Sequence, residues 1–275
     1  MNNSKLLLGM AIILCVSCAS KKYKDISYEQ NETKSESLKL NVFEPRKTET
    51  DLNPVVIFMH GGYWTEGDKD IYGFLGRNFA KHDIVTVIPS YTLSPKGNYD
   101  TMAKDVVSAI QWTTTNISKF KGNPEEIFLM GHSAGGHLIA LATTNPKYAK
   151  NTKSVKGVIL NDAAGLDMYS YLRKNPPTKE HNYKTTWTEN PELWKDASPV
   201  YFLSEGSPEF LIYVGEKTYE SIKNQNATFL RELKKYQPNV KTIFLDKKHV
   251  PMMSHYFWPW TDRYDEIIEF VKKQN

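Results

Sequence analysis

Ile127-Phe128-Leu129-Met130-Gly131-His132-Ser133-Ala134-Gly135 is the stretch on which the fold turns. Four apolar residues run directly into Gly-His-Ser-Ala-Gly, and the mostly small and apolar run 134–142 follows. That order reads as strand, tight turn and helix, with a serine at the apex. The flanking glycines matter because bulkier residues would clash in so sharp a turn. A hydroxyl lifted off the end of a sheet in this way can attack a carbonyl, which makes Ser133 the leading nucleophile candidate.

Outward from this turn, apolar runs alternate with helical patterns. Strands are expected at 37–43, 55–59, 84–88, 127–130, 155–160, 210–214 and 240–245, and helices at 71–81, 101–117, 218–236 and 264–272. This alternation predicts one α/β domain: a mostly parallel, doubly wound sheet with helices on both faces and right-handed crossovers. Ligand sites in such sheets lie at the carboxyl ends of the strands. His60, Ser133 and His249 each follow a strand end, so the fold brings their neighbourhoods together. Residues 163–207 form a long aromatic- and proline-rich insert between two core strands, a length that points to a functional loop or small subdomain.

At 275 residues, with 40% hydrophobic and 12% aromatic content, the chain can bury a sizeable core. The net charge of +4 is spread as single lysines and short pairs, with no basic stripe, so nucleic acid is not an expected partner. Lys5, the apolar run 6–16 and the small residues after it read as a secretory signal. Its end, Leu14-Cys15-Val16-Ser17-Cys18, resembles a bacterial lipoprotein box, which would make Cys18 a lipidated residue and the protein an exported, membrane-anchored one, in the periplasm or on the cell surface. Cys15 stands where such boxes usually carry Leu. Both cysteines lie in this segment, so the mature domain has neither a disulfide nor a thiol nucleophile, nor a cysteine-based zinc site. The polar stretch 19–37 reads as a flexible tether, and the folded domain is expected from residue 38.

His60-Gly61-Gly62-Tyr63-Trp64 follows the strand at 55–59. A glycine pair there lets the backbone bend towards a substrate and aim N–H groups into the site. The N–H groups of Gly62, Tyr63 and Ala134 are therefore the candidate oxyanion hole. The two motifs, His-Gly-Gly-Tyr-Trp at 60–64 and Gly-His-Ser-Ala-Gly-Gly-His at 131–137, resemble the α/β-hydrolase superfamily. More narrowly, they are similar to the esterase/lipase group that includes kynurenine formamidases and feruloyl/acetyl-xylan esterases. The resemblance runs from about residue 38 to the C-terminus. It implies cofactor-free, metal-free hydrolysis of an ester or activated amide through an acyl-enzyme.

A serine hydroxyl needs a base to attack. The chain order Ser, acid, His leaves His137, His181, His249 and His255 as candidates among the seven histidines. His137 lies one turn into the helix after the serine, and His181 lies in the insert. His249, just after the last core strand, is the expected base, with His255 next. His60 and His132 are expected to bond backbone near the elbow. The acid should follow the strand at 210–214. Relatives commonly place it about three residues after the strand-ending glycine, and here that slot is Thr218. Glu216 is the favoured acid, with Glu220, Asp162 and Asp167 as alternatives.

The expected activity is thus that of a serine carboxylic-ester hydrolase acting on small acyl or aryl esters, including acetyl or feruloyl groups linked to polysaccharide. An arylformamidase and a non-catalytic binding protein on the same fold are the competing readings. The aromatics of the insert, with Tyr63, Trp64 and Tyr91, are candidates for the walls of a substrate pocket.

Overall fold

The computed structural model describes residues 20–28, 37–48 and 50–273. The expected signal segment, Cys18 and, of the expected tether, residues 19 and 29–36 lie outside the described residues. Eight strands form one sheet: β1 (Ser20–Ser27), β2 (Lys39–Pro45), β3 (Asn53–Met59), β4 (Val85–Pro89), β5 (Gly122–His132), β6 (Val155–Asn161), β7 (Glu209–Gly215) and β8 (Lys241–Leu245). Their spatial order is β1-β2-β4-β3-β5-β6-β7-β8. β2 pairs antiparallel with both β1 and β4, and every other pair is parallel. The helices are α1 (Gly73–Phe79), α2 (Tyr99–Asn116), α3 (Ala134–Thr144), α4 (Pro146–Ala149), α5 (Met168–Lys174), α6 (Tyr183–Trp187), α7 (Pro191–Asp196), α8 (Glu220–Leu233), α9 (Pro251–Ser254) and α10 (Asp262–Lys273). This is the mostly parallel, doubly wound sheet expected from the alternation, and the α/β-hydrolase architecture implied by the motif resemblance.

The central strands are apolar on both faces because both faces are covered. Val55, Ile57 and Met59 of β3 pack with α2, α3 and α8, whereas Val56 and Phe58 pack with α1, α9 and α10. Side chains that alternate along a strand therefore feed two cores. Parallel pairing puts the carboxyl ends of β3, β5, β6 and β7 on one edge, so the turns after Met59, His132, Asn161 and Gly215 meet there.

Two expectations change. The stretch 20–27, read as tether, is strand β1: Tyr23 packs edge-on against Phe120 at 4.7 Å and donates to Glu44 Oε2 at 2.7 Å. Lysines on its outer positions gave it a tether's composition, and they are what protects an edge strand from further pairing. The helix expected at 71–81 is shorter: a 3₁₀ turn at Lys69–Tyr72, α1, then a second 3₁₀ turn at Ala80–His82 that ends on the left-handed Asp83. The insert contains α5, α6 and α7. Its own Trp187 and Trp194 are buried, so part of its aromatic content is core.

Candidate active site

Ser133 sits between β5 and α3 with φ 53° and ψ −119°, a strained backbone for a residue with a Cβ. The elbow survives because small residues crowd around it. A Cβ at Gly135 would lie 2.1 Å from the carbonyl oxygen of Met59, so only glycine lets α3 approach the end of β3. The serine Oγ donates to His249 Nε2 at 2.8 Å. His249 Nδ1 donates in turn to Asp162 Oδ2 at 2.6 Å. Asp162 is fully buried, and its other contacts are hydrogen bonds too: the Gly215 N–H donates to Oδ1 at 2.9 Å and the Thr218 hydroxyl to Oδ2 at 2.5 Å. A carboxylate oxygen accepting from Nδ1 holds one imidazole tautomer.

Glu216 does not take part. It is exposed on the turn after β7, where its N–H donates to the Leu245 carbonyl, and the carboxylate at His249 is Asp162, after β6. The slot at 218 carries a threonine whose hydroxyl is 3.4 Å from His249 Nδ1 and is spent on Asp162. The signal for Asp162 lay in its position at a strand end beside the elbow's own strand, and the left-handed φ of 50° that turns it inward is a conformation aspartate tolerates. Glu220 is exposed and paired with Lys223. Asp167 caps α5 through the Ser170 N–H.

Several of the other histidines pack around the site. His132 donates from Nε2 to the His249 carbonyl at 3.2 Å and stacks on the His249 ring at 4.7 Å. Burial, chiefly, drives its pKa down to about 3, so it stays neutral. His137 accepts from Trp64 Nε1 at 3.1 Å and donates to the Ala197 carbonyl at 2.8 Å, tying the 60–64 loop, α3 and the insert together. His60 stacks on Tyr91, whose hydroxyl donates to the His60 carbonyl at 3.1 Å. His255 is buried against Tyr256 and makes no contact with Ser133. His181 stacks on Tyr63 at 4.5 Å.

Gly62 has φ 129°, and a Cβ there would lie 2.1 Å from the Glu66 carbonyl oxygen. Its carbonyl accepts from the Thr65 and Glu66 N–H groups, which closes the loop tightly. Among the described residues, neither the Gly62 nor the Tyr63 N–H meets a backbone acceptor. The loop lies against the elbow: a Cβ at Gly61 would be 3.0 Å from Ser133 Cβ. Ala134 is the first residue of α3, so its N–H has no carbonyl one turn back to bond. Tyr63 lines the cavity at the serine, and Ala134 directly follows the serine. Tyr63 and Tyr219 arch over it with their hydroxyls 3.4 Å apart, and that hydrogen bond pushes the Tyr63 phenol up to about 12. Beneath the arch is a cavity of about 190 Å³ lined by Ser133, His249, Trp64, Met168, Tyr183 and Gln225 among others. Tyr91 is core and does not line it.

Residues 40–233 match the BD-FAE family model. The chain belongs to the BD-FAE family. This BD-FAE chain is 28% identical over 209 residues to esterase LipC of Mycobacterium tuberculosis, covering 71% of this chain and 52% of LipC. It thus spans about half of LipC's length. It is 29% identical over 229 residues to the kynurenine formamidase of Salmo salar, covering 80% of this chain and 71% of that one. Its fold superposes on esterase B from Lactobacillus rhamnosis inhibited by a tributyrin phosphonate, with TM-score 0.76, 18% identity and coverage of 93% and 86%. It also superposes on a truncated carbohydrate esterase from gut microbiota, with TM-score 0.74, 18% identity and coverage of 94% and 97%. His249 lies beyond the matched stretch of the BD-FAE model, so its place beside the serine rests on geometry.

Proposed function

We propose that this protein is a carboxylic-ester hydrolase working through a serine acyl-enzyme on small acyl esters. The observation that carries the reading is the continuous bond from Ser133 Oγ to His249 Nε2 and from Nδ1 to Asp162, at 2.8 and 2.6 Å. Ser133 Oγ attacks the ester carbonyl carbon while His249 takes the hydroxyl proton. Asp162 holds the imidazole in the required tautomer and stabilises the imidazolium that forms. The N–H groups of Ala134, Gly62 and Tyr63 bond the oxyanion, each donor contributing about 3–4 kcal/mol to the transition state. His249 then protonates the leaving alcohol, and a water activated by the same base releases the acid.

Purified protein lacking the first 18 residues is expected to hydrolyse p-nitrophenyl acetate. Ser133→Ala should lower kcat by a factor of about 10³ or more. No turnover by the unmutated protein would overturn the reading. A formamidase reading is favoured by the kynurenine formamidase match over 80% of this chain. Rates on N-formylkynurenine against acetyl esters decide between them, and a preference for the formamide would replace the ester. Export and anchoring through Cys18 are part of the same proposal: Cys18→Ala should move the protein from the membrane fraction to the soluble fraction.

A further inference from the structure

His249 reaches the serine from the edge of the sheet. It follows β8, the edge strand, and β7 and β6 stand between β8 and the serine's own strand β5. No residue of β8 is fully buried, and Val250, directly after the histidine, is 67% exposed. Apolar burial at the end of β8 therefore does not fix where the imidazole comes to rest.

Two side chains hold the turn by its backbone. The His132 Nε2–H donates to the His249 carbonyl at 3.2 Å, and the two rings stack with centroids 4.7 Å apart. Asn161, fully buried, donates from Nδ2 to the Met252 carbonyl at 2.8 Å. The register of β5 on β6 sets His132 opposite Asn161. His132 immediately precedes Ser133, and Asn161 immediately precedes Asp162. We propose, on the ester-hydrolase reading above, that His132 and Asn161 are a pair of positioning residues, which pin the turn 249–252 and so set the distances from His249 to Ser133 and Asp162.

The connections converge on Asn161. Its carbonyl accepts from the Ser133 N–H at 3.2 Å, its peptide runs on into Asp162, and its side chain holds the turn that carries His249. A shift of any one member is thereby passed to the other two. α9 is only four residues long, so its carbonyls depend on partners outside the turn, and the Asn161 amide is one. His132 suits its part because burial keeps it neutral. A neutral imidazole has a single N–H, which the His249 carbonyl fixes on Nε2. It also sets no positive charge against the imidazolium that His249 becomes during the reaction. Neither residue lines the cavity at the serine, so the pair acts on the geometry of the base and not on substrate binding.

Steady-state kinetics and proton NMR test this. Asn161→Leu and His132→Phe keep shape and remove a donor. Since a misplacement of about 1 Å can cost about 10²-fold, each should lower kcat on p-nitrophenyl acetate by at least about tenfold, with KM within about threefold of the parent. His132→Gln, which carries an N–H near the same place, should keep kcat at least about fivefold above that of His132→Phe. The second readout is the low-field proton signal of His249 Nδ1–H in its bond to Asp162, identified by its loss in His249→Gln. It should shift or broaden in Asn161→Leu and His132→Phe and persist in His132→Gln. A kcat within about twofold of the parent in both donor-less variants overturns the proposal, whatever their stability. An unchanged proton signal in them, or a His132→Gln no faster than His132→Phe, overturns it too. Should Asn161→Leu fail to fold, the two His132 variants decide alone. If the unmutated protein hydrolyses no ester, the hydrolase reading falls, while the proton signal still decides whether these two residues hold His249.

Discussion

At the scale of single residues, the site depends on which carboxylate meets His249. Asp162 accepts from the Gly215 N–H, the Thr218 hydroxyl and the His249 imidazole. Asp162→Asn keeps the shape but offers the imidazole an amide, which disturbs the tautomer. A loss of about 10³–10⁴ in kcat on p-nitrophenyl acetate is expected, with KM little changed. Glu216→Gln should stay within about twofold of the parent, because no bond joins that side chain to His249. Steady-state kinetics of the two variants side by side check the assignment, and the reverse ranking would return the role to Glu216. The residue after the strand-ending glycine that relatives use for an acid is here a hydroxyl donor to the acid. The function of the slot has been divided between two strand ends.

At the scale of elements, the 60–64 loop, the proposed source of oxyanion donors, is held by its own backbone and by one buried relay. Gly62→Ala would place a methyl 2.1 Å from the Glu66 carbonyl, so the loop must open. Loss of one aligned donor corresponds to a fall in kcat of about 10²–10³. Kinetics with a circular dichroism control for folding measure it, and near-parental kcat would remove this loop from the oxyanion hole. His137 is the joint between loop, α3 and insert, through Trp64 and the Ala197 carbonyl. His137→Leu leaves an indole N–H and a carbonyl buried without partners, a cost of about 2–4 kcal/mol in urea unfolding. An unchanged unfolding midpoint would show that the relay carries no stability.

At the scale of the whole molecule, His60, His132, His137 and His255 are all held below the ordinary value of 6.5, chiefly by burial, the last three at about 3, 4 and 4. The unfolded chain takes up these protons near pH 6.5 and the folded chain does not. Stability is therefore complete above that pH and falls as pH drops towards 4, by up to about 1.4 kcal/mol per pH unit for each histidine. The urea midpoint is expected to be flat above about pH 7.5 and much lower at about pH 4.5. A midpoint equal at both would mean that these imidazoles are not buried neutral. How much of this was legible beforehand differs by part. Apolar runs and their spacing determined the strands, their parallel order and the Gly-His-Ser-Ala-Gly elbow, because periodicity and turn chemistry are local properties of the chain. The expected order of serine and histidine was equally local, since each follows a strand end. The edge strand β1 was hidden by its lysines, and its pairing with β2 reveals it. The acid was hidden for a stronger reason. Glu216 and Asp162 both follow strand ends, and only the packing of β6 against β7, with Gly215 and Thr218 aimed at one carboxylate, decided between them. The sequence by itself determined the fold and singled out Ser133; which carboxylate meets His249 was decided by tertiary contacts between residues 50 and more apart, a relation that no local pattern encodes.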